Sequence, residues 1–494
     1  MAVQCIYEKI AVLTVESCRR LIQFTFAYTK YSSILCPLFF PLYNHSKAVC
    51  IPADCAAEPL SATIASTDVL MLNYVGQASI ASVSLAANYT NILFSVLYGI
   101  GTGVTMLASQ YHGKGDLETV HLVQGIALRF SLGAAFLFAL AAVTIPENMM
   151  RLFTPDPELI ALGASYLRVV SVSYLCWGIS EVYLATLRSA ERVAICTLLN
   201  MIAFACNILL NALFIFGLFG LPKLGVIGVA LGTNISRMIL LCACFFVSSR
   251  SRDIRLRFSY LFRRNRVLFG DFLRMALPAL ANDVSWGVAF SLYSAIIGHL
   301  SNDAVAAYSF VNIIRHFGVV LCYAVASASG IMLGNILGRG RIEEAKDGAK
   351  KLLIMTLLSA AVGSAIILIL IPFILSFADL TMAAQEYLRM MMLINVYYIW
   401  GSAVNTTLIA GVFRAGGDSR FGMICDTIDM WGYALPLGFV SAFVLRLPVM
   451  WVYFLLCTDE FVKWPWVLKH YFSGKWAKDI TRSDLYDGSA RRKE

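Results

Sequence analysis

Asp68 is the one carboxylate in "STDVLMLNYVGQASIASVSLA" (66–86), a stretch that is otherwise apolar, small or uncharged. An acid at membrane depth costs roughly 2.5–3.5 kcal/mol on insertion scales and by default reads as functional. Ionised, such a group holds Na⁺ or a positively charged substrate; protonated, it lets the helices around it rearrange. The plain alternative is an acid bonded to Ser66 and Thr67 as part of a helix kink. Asn207 and Asn211 stand four residues apart, so they share one helix face. They read either as oxygen ligands for a small cation or as interhelical hydrogen-bond glue. Glu181 precedes Arg188 by seven residues, two helical turns, and either faces a substrate or pairs with an arginine. Asp283, Asp426 and Asp429 are further acids inside apolar surroundings.

The elements that must position these groups follow from composition. Of 494 residues 59% are hydrophobic and 14% charged, with a mean hydropathy of +0.73. Soluble domains carry about 25% charged residues, so most of this surface faces lipid. Apolar runs predict twelve spans, near 52–76, 86–111, 121–145, 160–187, 192–217, 225–248, 269–299, 305–336, 347–377, 384–413, 419–444 and 447–468. Each is long enough to cross about 30 Å of hydrocarbon. Basic residues gather in alternate loops: at Lys114, Arg188 and Arg192, in the seven-arginine stretch 248–266, at 339–351, at Arg414 and Arg420, and in the tail. Arg151, Lys223 and Arg446 fall on the other side. The positive-inside rule then puts both termini in the cytoplasm. It also accounts for the net charge of +9 without nucleic acid. The thirteen cysteines include no CxxC pair, and no nucleophile–base spacing stands out, so neither a metal centre nor an enzyme is expected.

The chain repeats itself. "SQYHGKGDLE" (109–118) parallels "GNILGRGRIE" (334–343), "SYLRVVSVSYLCW" (165–177) parallels "EYLRMMMLINVYY" (386–398), and "LRSAERVAICTLLN" (187–200) parallels "FRAGGDSRFGMICD" (413–426). The offset is about 225 residues each time. An even number of spans per repeat inserts both halves the same way, which relates them by a pseudo-twofold along the membrane normal, with the substrate path at their interface.

Between about 60 and 470 the sequence resembles the multidrug and toxic compound extrusion (MATE) family. The carriers are the stretch around Asp68, "ASQYHGKGD", "CNILLNALFIFGLFGLPKLGVIGVALGT", "ALPALANDVSWG", "GNILGRGRIEEAK", "GVFRAGGDSRFGMICDTIDMWGYALPLG" and "DEFVKWPW". The resemblance implies an all-α integral membrane protein of twelve transmembrane helices in two six-helix lobes that rock to export amphipathic, often cationic organic compounds in exchange for H⁺ or Na⁺. It assigns cation or proton coupling to Asp68, Asn207, Asn211 and the hydroxyl of Thr233, with Na⁺ as a candidate ion there. The family often has Asp where Asn211 stands, so one negative charge is missing. Ile399 and Ala403 replace the Tyr and Asp of the Na⁺-driven branch's second-lobe site. Asp283, before Trp286, is the acid nearest the family's seventh-span glutamate; Glu181 and Asp426 are the other candidates for the substrate or the second lobe. Asp426 falls opposite Asn200 in the repeat, which equally suits a structural role.

The expected organisation is an irregular leader (1–50), a first lobe (51–249), a basic linker (250–268), a second lobe (269–470) and a cytoplasmic tail (471–494). The expected setting is a bacterial inner membrane, as a monomer with small organic substrates and no cofactor beyond the coupling ion. A lipid-intermediate flippase of the same superfamily is the second reading, and a receptor or channel the third. Residues 1–60 break the pattern: "IPADCAAEPL" puts two acids and two prolines where the first span begins. Codons for Lys47–Leu60 can be chosen that, read one nucleotide later, give the apolar KLFVFLPIALQNL. The expectation is therefore either a frame error upstream of about residue 60 or a genuine, poorly ordered leader, and the coding DNA decides between them.

Overall fold

The computed structural model describes residues 77–217, 222–377 and 380–482. Asp68, the first expected span and the leader lie outside them. Among the described residues the regular structure is helical. The first repeat contributes α1 (Gln77–Lys114), α2 (Leu117–Thr144), the short α3 (Pro146–Arg151), α4 (Pro157–Val170), α5 (Val172–Ser189), α6 (Val193–Phe216) and α7 (Gly225–Arg250). The second contributes α8 (Arg266–Gly298), α9 (Asn302–Gly338), α10 (Ile342–Phe377), α11 (Met382–Phe413) and α12 (Ser419–Val444). It ends in three pieces, α13 (Val449–Leu456), α14 (Asp459–Val462) and α15 (Trp464–Phe472). Local signals set the starts: Asp156 accepts from Glu158 N ahead of Pro157, and Asn265 accepts from Leu268 N to cap α8.

Among the described residues eight helices are long and apolar enough to span a membrane, and nine when α4 and α5 count as one bent span. Apart from the first expected span, which lies outside the described residues, the shortfall from the expected spans has physical causes. α8 has the length, 33 residues, but carries Asp271, Arg274, Asn282 and Asp283. The expected span 447–468 is broken at Cys457–Thr458, just before Asp459 and Glu460, and again at Lys463. The expected span 160–187 bends by 50° between α4 and α5.

Packing divides the chain into two compact units, the described parts of Met1–Leu97 with Ala127–Leu261, and of Tyr98–Ile126 with Phe262–Glu494. The first is built on a core that includes Leu93, Tyr174, Ile208 and Val229. Its bend at α4–α5 frees backbone groups, and Asn234 of α7 takes up two of them. Its amide donates to Val169 O at 2.7 Å, and its carbonyl accepts from Ser173 N at 3.1 Å. The second unit has a core around Ile297, Val311, Leu388 and Val452.

Residues 98–126, sequence neighbours of the first repeat, join the second unit through a crossing of α1 and α9. A β-carbon on Gly113 would collide with Asn335 O, and one on Gly338 would collide with Gln110 O. These are repeat mates at the 225-residue offset, so the contact is self-complementary. His112 Nδ1 and Asn335 Oδ1 add a hydrogen bond at 2.8 Å. The segment after α15 straps across the same end. Gln110 Nε2 donates to Ala415 O and Lys478 O, Ile480 N donates to Gln110 Oε1, and Arg482 forks onto Asp271 at 2.7 and 2.9 Å.

Candidate functional site

The broken last span carries Lys463, whose side chain is fully buried with an exposure of 0%. Its Nζ lies 3.0 Å from Asp426 Oδ1, 3.0 Å from Glu460 Oε2 and 3.6 Å from Asp429 Oδ2. The Trp286 ring covers it at 5.1 Å. Asp459, one residue before Glu460, is buried beside the group. Three carboxyls thus face one ammonium away from water with a fourth beside them, and such an arrangement is tolerable only when its lone pairs are satisfied.

Most of them are. Asp426 accepts from Lys463 and from Asn282 Nδ2 at 2.9 Å. Asp459 accepts from Tyr293 OH at 3.3 Å and from Glu460 N at 2.8 Å. Glu460 accepts from Tyr398 OH at 3.2 Å and from Asn405 Nδ2 at 2.7 Å. Asn405 also donates to the Glu460 backbone carbonyl. Asp429 differs. It stands in a π-helical segment, Ile428–Ala434, fully buried, and neither of its oxygens accepts a hydrogen bond from a described residue. Space for the inward segment comes from Gly401 of α11, where a β-carbon would fall 2.7 Å from Glu460 Cβ. π-Helical turns recur at functional sites because they offset the side chains of one face. α11 contains one at Thr406–Phe413, directly after Asn405.

The first unit holds a different polar group. Asn211 Nδ2 donates to Asn207 Oδ1 at 3.3 Å, and Asn207 Nδ2 donates to Ser236 Oγ at 3.4 Å. Ser236 Oγ donates to Thr233 O at 2.9 Å, while Thr233 Oγ1 donates to Val229 O at 3.0 Å. The structure therefore links Asn207, Asn211 and the backbone of Thr233 across α6 and α7, in an uncharged group with Asn211 fully buried. Asp68 lies outside the described residues. Glu181 pairs with Arg188 at 2.7 Å, and Asp283 pairs with Arg414 at 2.8 Å. Asp426 belongs to the lysine cluster. No group of three or more His, Cys, Asp or Glu among the described residues is arranged to hold a metal.

The stretch "DEFVKWPW" carries the family resemblance, but sequence reasoning gives no role to its Asp459, Glu460 or Lys463. The signal is present: charges spaced three and four apart inside an apolar span lie on one face. Arg315, at mid-span in α9, is another functional candidate that sequence reasoning misses. It lines a cavity of about 400 Å³ in the second unit together with Trp286, Phe290, Asn312, Tyr323 and Tyr398. Trp286 and Tyr398 form a shared wall, touching the cavity on one side and the lysine cluster on the other.

Comparison with known proteins adds to this geometry. The MatE family model matches twice, at 58–213 and 283–440, with starts 225 residues apart. The transporter YisQ of Bacillus subtilis is 25% identical over 407 residues, covering 80% of this chain and 87% of YisQ. The multidrug resistance protein PmpM of Pseudomonas aeruginosa is 24% identical over 394 residues, covering 78% and 82%. Among solved structures, that of MATE in complex with MaL6 superposes with a TM-score of 0.79 at 16% identity, covering 87% of this chain and 96% of that one. An outward-facing MATE transporter gives 0.78 at 17% identity, with the same coverage. The fold expected from sequence, an all-α membrane protein of twelve helices in two six-helix lobes, is the fold of these structures.

Proposed function

Since the chain belongs to the MatE family of multidrug and toxic compound extrusion transporters, we propose that it is a secondary antiporter exporting small amphipathic organic compounds in exchange for an inward-moving cation. Its proposed setting is a bacterial inner membrane, as a monomer with both termini in the cytoplasm. The relatives' names supply the multidrug class. One observation supports cation coupling most directly: Asp429, buried among charges, stands 3.6 Å from Lys463 and accepts no hydrogen bond from a described residue. A proton is the ligand that satisfies a buried carboxyl of this kind. The position a metal cation would take between Asp426 and Glu460 is filled by the lysine's own ammonium, which favours H⁺ over Na⁺ in this half.

In this reading a proton arriving at Asp429 changes the balance around Lys463. The change is passed through Glu460 and Tyr398 to the cavity wall. Asp68, with Asn207, Asn211 and Thr233, is the proposed coupling group of the first lobe. Asp283 is assigned to orienting Arg414, and Glu181 to orienting Arg188.

The test is reconstitution into liposomes with H⁺ and Na⁺ gradients imposed separately and the movement of ethidium, a cation, and of rhodamine 110, a carboxylate-bearing dye, followed. Efflux should follow the H⁺ gradient. Asp429→Asn should lower it at least about tenfold, with the folded yield retained, and Asp68→Asn should act likewise. Absence of flux under either gradient would remove the antiporter reading. Wild-type flux in Asp429→Asn would remove the site.

A further inference from the structure

We propose that Arg315 makes the second-unit cavity a binding site for an organic anion, specifically a planar aromatic carboxylate. The other strong cations described in this unit's interior are spoken for: Lys463 by its carboxyls and Arg414 by Asp283. Arg315 forms no ion pair with a described carboxylate; its guanidinium faces rings instead, 4.8 Å from the centroid of Phe290 and 5.6 Å from that of Tyr398. A guanidinium is a rigid planar fork that matches a carboxylate with two parallel N–H donors. Stacking on aromatic faces fixes its plane while leaving its edge free for that pairing.

The surroundings fit an aromatic ligand. About 400 Å³ lies in the range of small-molecule pockets. Trp286, Phe290 and Tyr323 supply ring surface, and Asn312, one helical turn before Arg315, supplies an amide. The four nearby carboxyls do not compete for Arg315, because Lys463, Asn282, Tyr293, Tyr398 and Asn405 engage three of them and Asp429 lies against Lys463. Tyr398 touches both systems, stacking near Arg315 and donating to Glu460. Occupancy of the cavity is therefore felt at the lysine cluster. The inference rests on the export reading for the fate of a bound ligand, and not for binding itself.

The experiment compares two dyes on the purified full-length protein by fluorescence anisotropy: rhodamine 110, with a free carboxylate, and rhodamine 123, its methyl ester. Rhodamine 110 should bind about tenfold more tightly, the worth of one charge-assisted pairing. Arg315→Gln should erase that preference while leaving rhodamine 123 within about twofold, and Arg315→Lys should keep part of it. 2-Naphthoate should displace rhodamine 110 at lower concentration than pyrophosphate does. Equal binding of the two dyes, binding of neither, or an unchanged preference in Arg315→Gln overturns the proposal. Stronger displacement by pyrophosphate overturns the aromatic-carboxylate class in favour of a phosphate headgroup. Efflux of ethidium and of rhodamine 110 is measured on the same preparation. Loss of both alongside an intact dye preference would remove the export reading and leave the site standing.

Discussion

In the first unit the broken helix is the fourth expected span, between Val170 and Val172, and α7 carries the asparagine that satisfies it. In the second unit the break falls in the last span, and Asn405 on α11 supplies the amide. The repeat offset of 225 sets Thr233 opposite Thr458, Asn234 opposite Asp459 and Met238 opposite Lys463. The same place in two copies of one ancestral unit thus holds a neutral amide in one and the head of a charge cluster in the other. Amides mend a kink and stay put. Acids gathered round one ammonium can exchange a proton.

The largest effect that would break this contrast comes from Lys463→Met. Removing one member of a buried ionic group costs about 3–5 kcal/mol, because the remaining charges lose their partner. The thermal midpoint in detergent should fall further than for any other single change considered, and adding Glu460→Gln should recover part of the loss. An unchanged midpoint would mean that the cluster is not held together by charge. Next comes Asn234→Ala, which strands Val169 O and Ser173 N at the bend and should cost about 1–3 kcal/mol. Efflux per folded molecule should survive it; its loss would put function in the first unit's amide. The smallest is Arg482→Ala. Its fork onto Asp271 is part-exposed, with side-chain exposures of 42% and 17%, and such pairs contribute below about 1 kcal/mol. A midpoint shift beyond that would show the C-terminal strap to be a principal fastening.

The helical membrane class, the repeat and the family were legible because they rest on patterns spread over hundreds of residues. The pairing of Asn207 with Asn211 was legible because four-residue spacing is a local property of a helix. Glu181 with Arg188 was half-legible: the face was readable, the choice between substrate and arginine was not. Asp283 with Arg414, 131 residues apart, and Asp426 with Lys463 were not, since side chains so distant in sequence meet only through tertiary packing. Breaks in the fourth and last spans were missed because hydropathy registers apolar content and is blind to a backbone that turns where an asparagine can catch it.

Lys463, Glu460 and Asp459 also bear on how the chain is made. Every described side chain that quiets them, from Asn282 and Tyr293 to Tyr398, Asn405 and Asp426, precedes them in sequence. When the closing segment leaves the ribosome, its reception is therefore already synthesised. On its own that segment is too charged to partition into lipid. It seats as a keystone does, in a gap cut for it, so that the second half is complete only when residues 459–463 are in place.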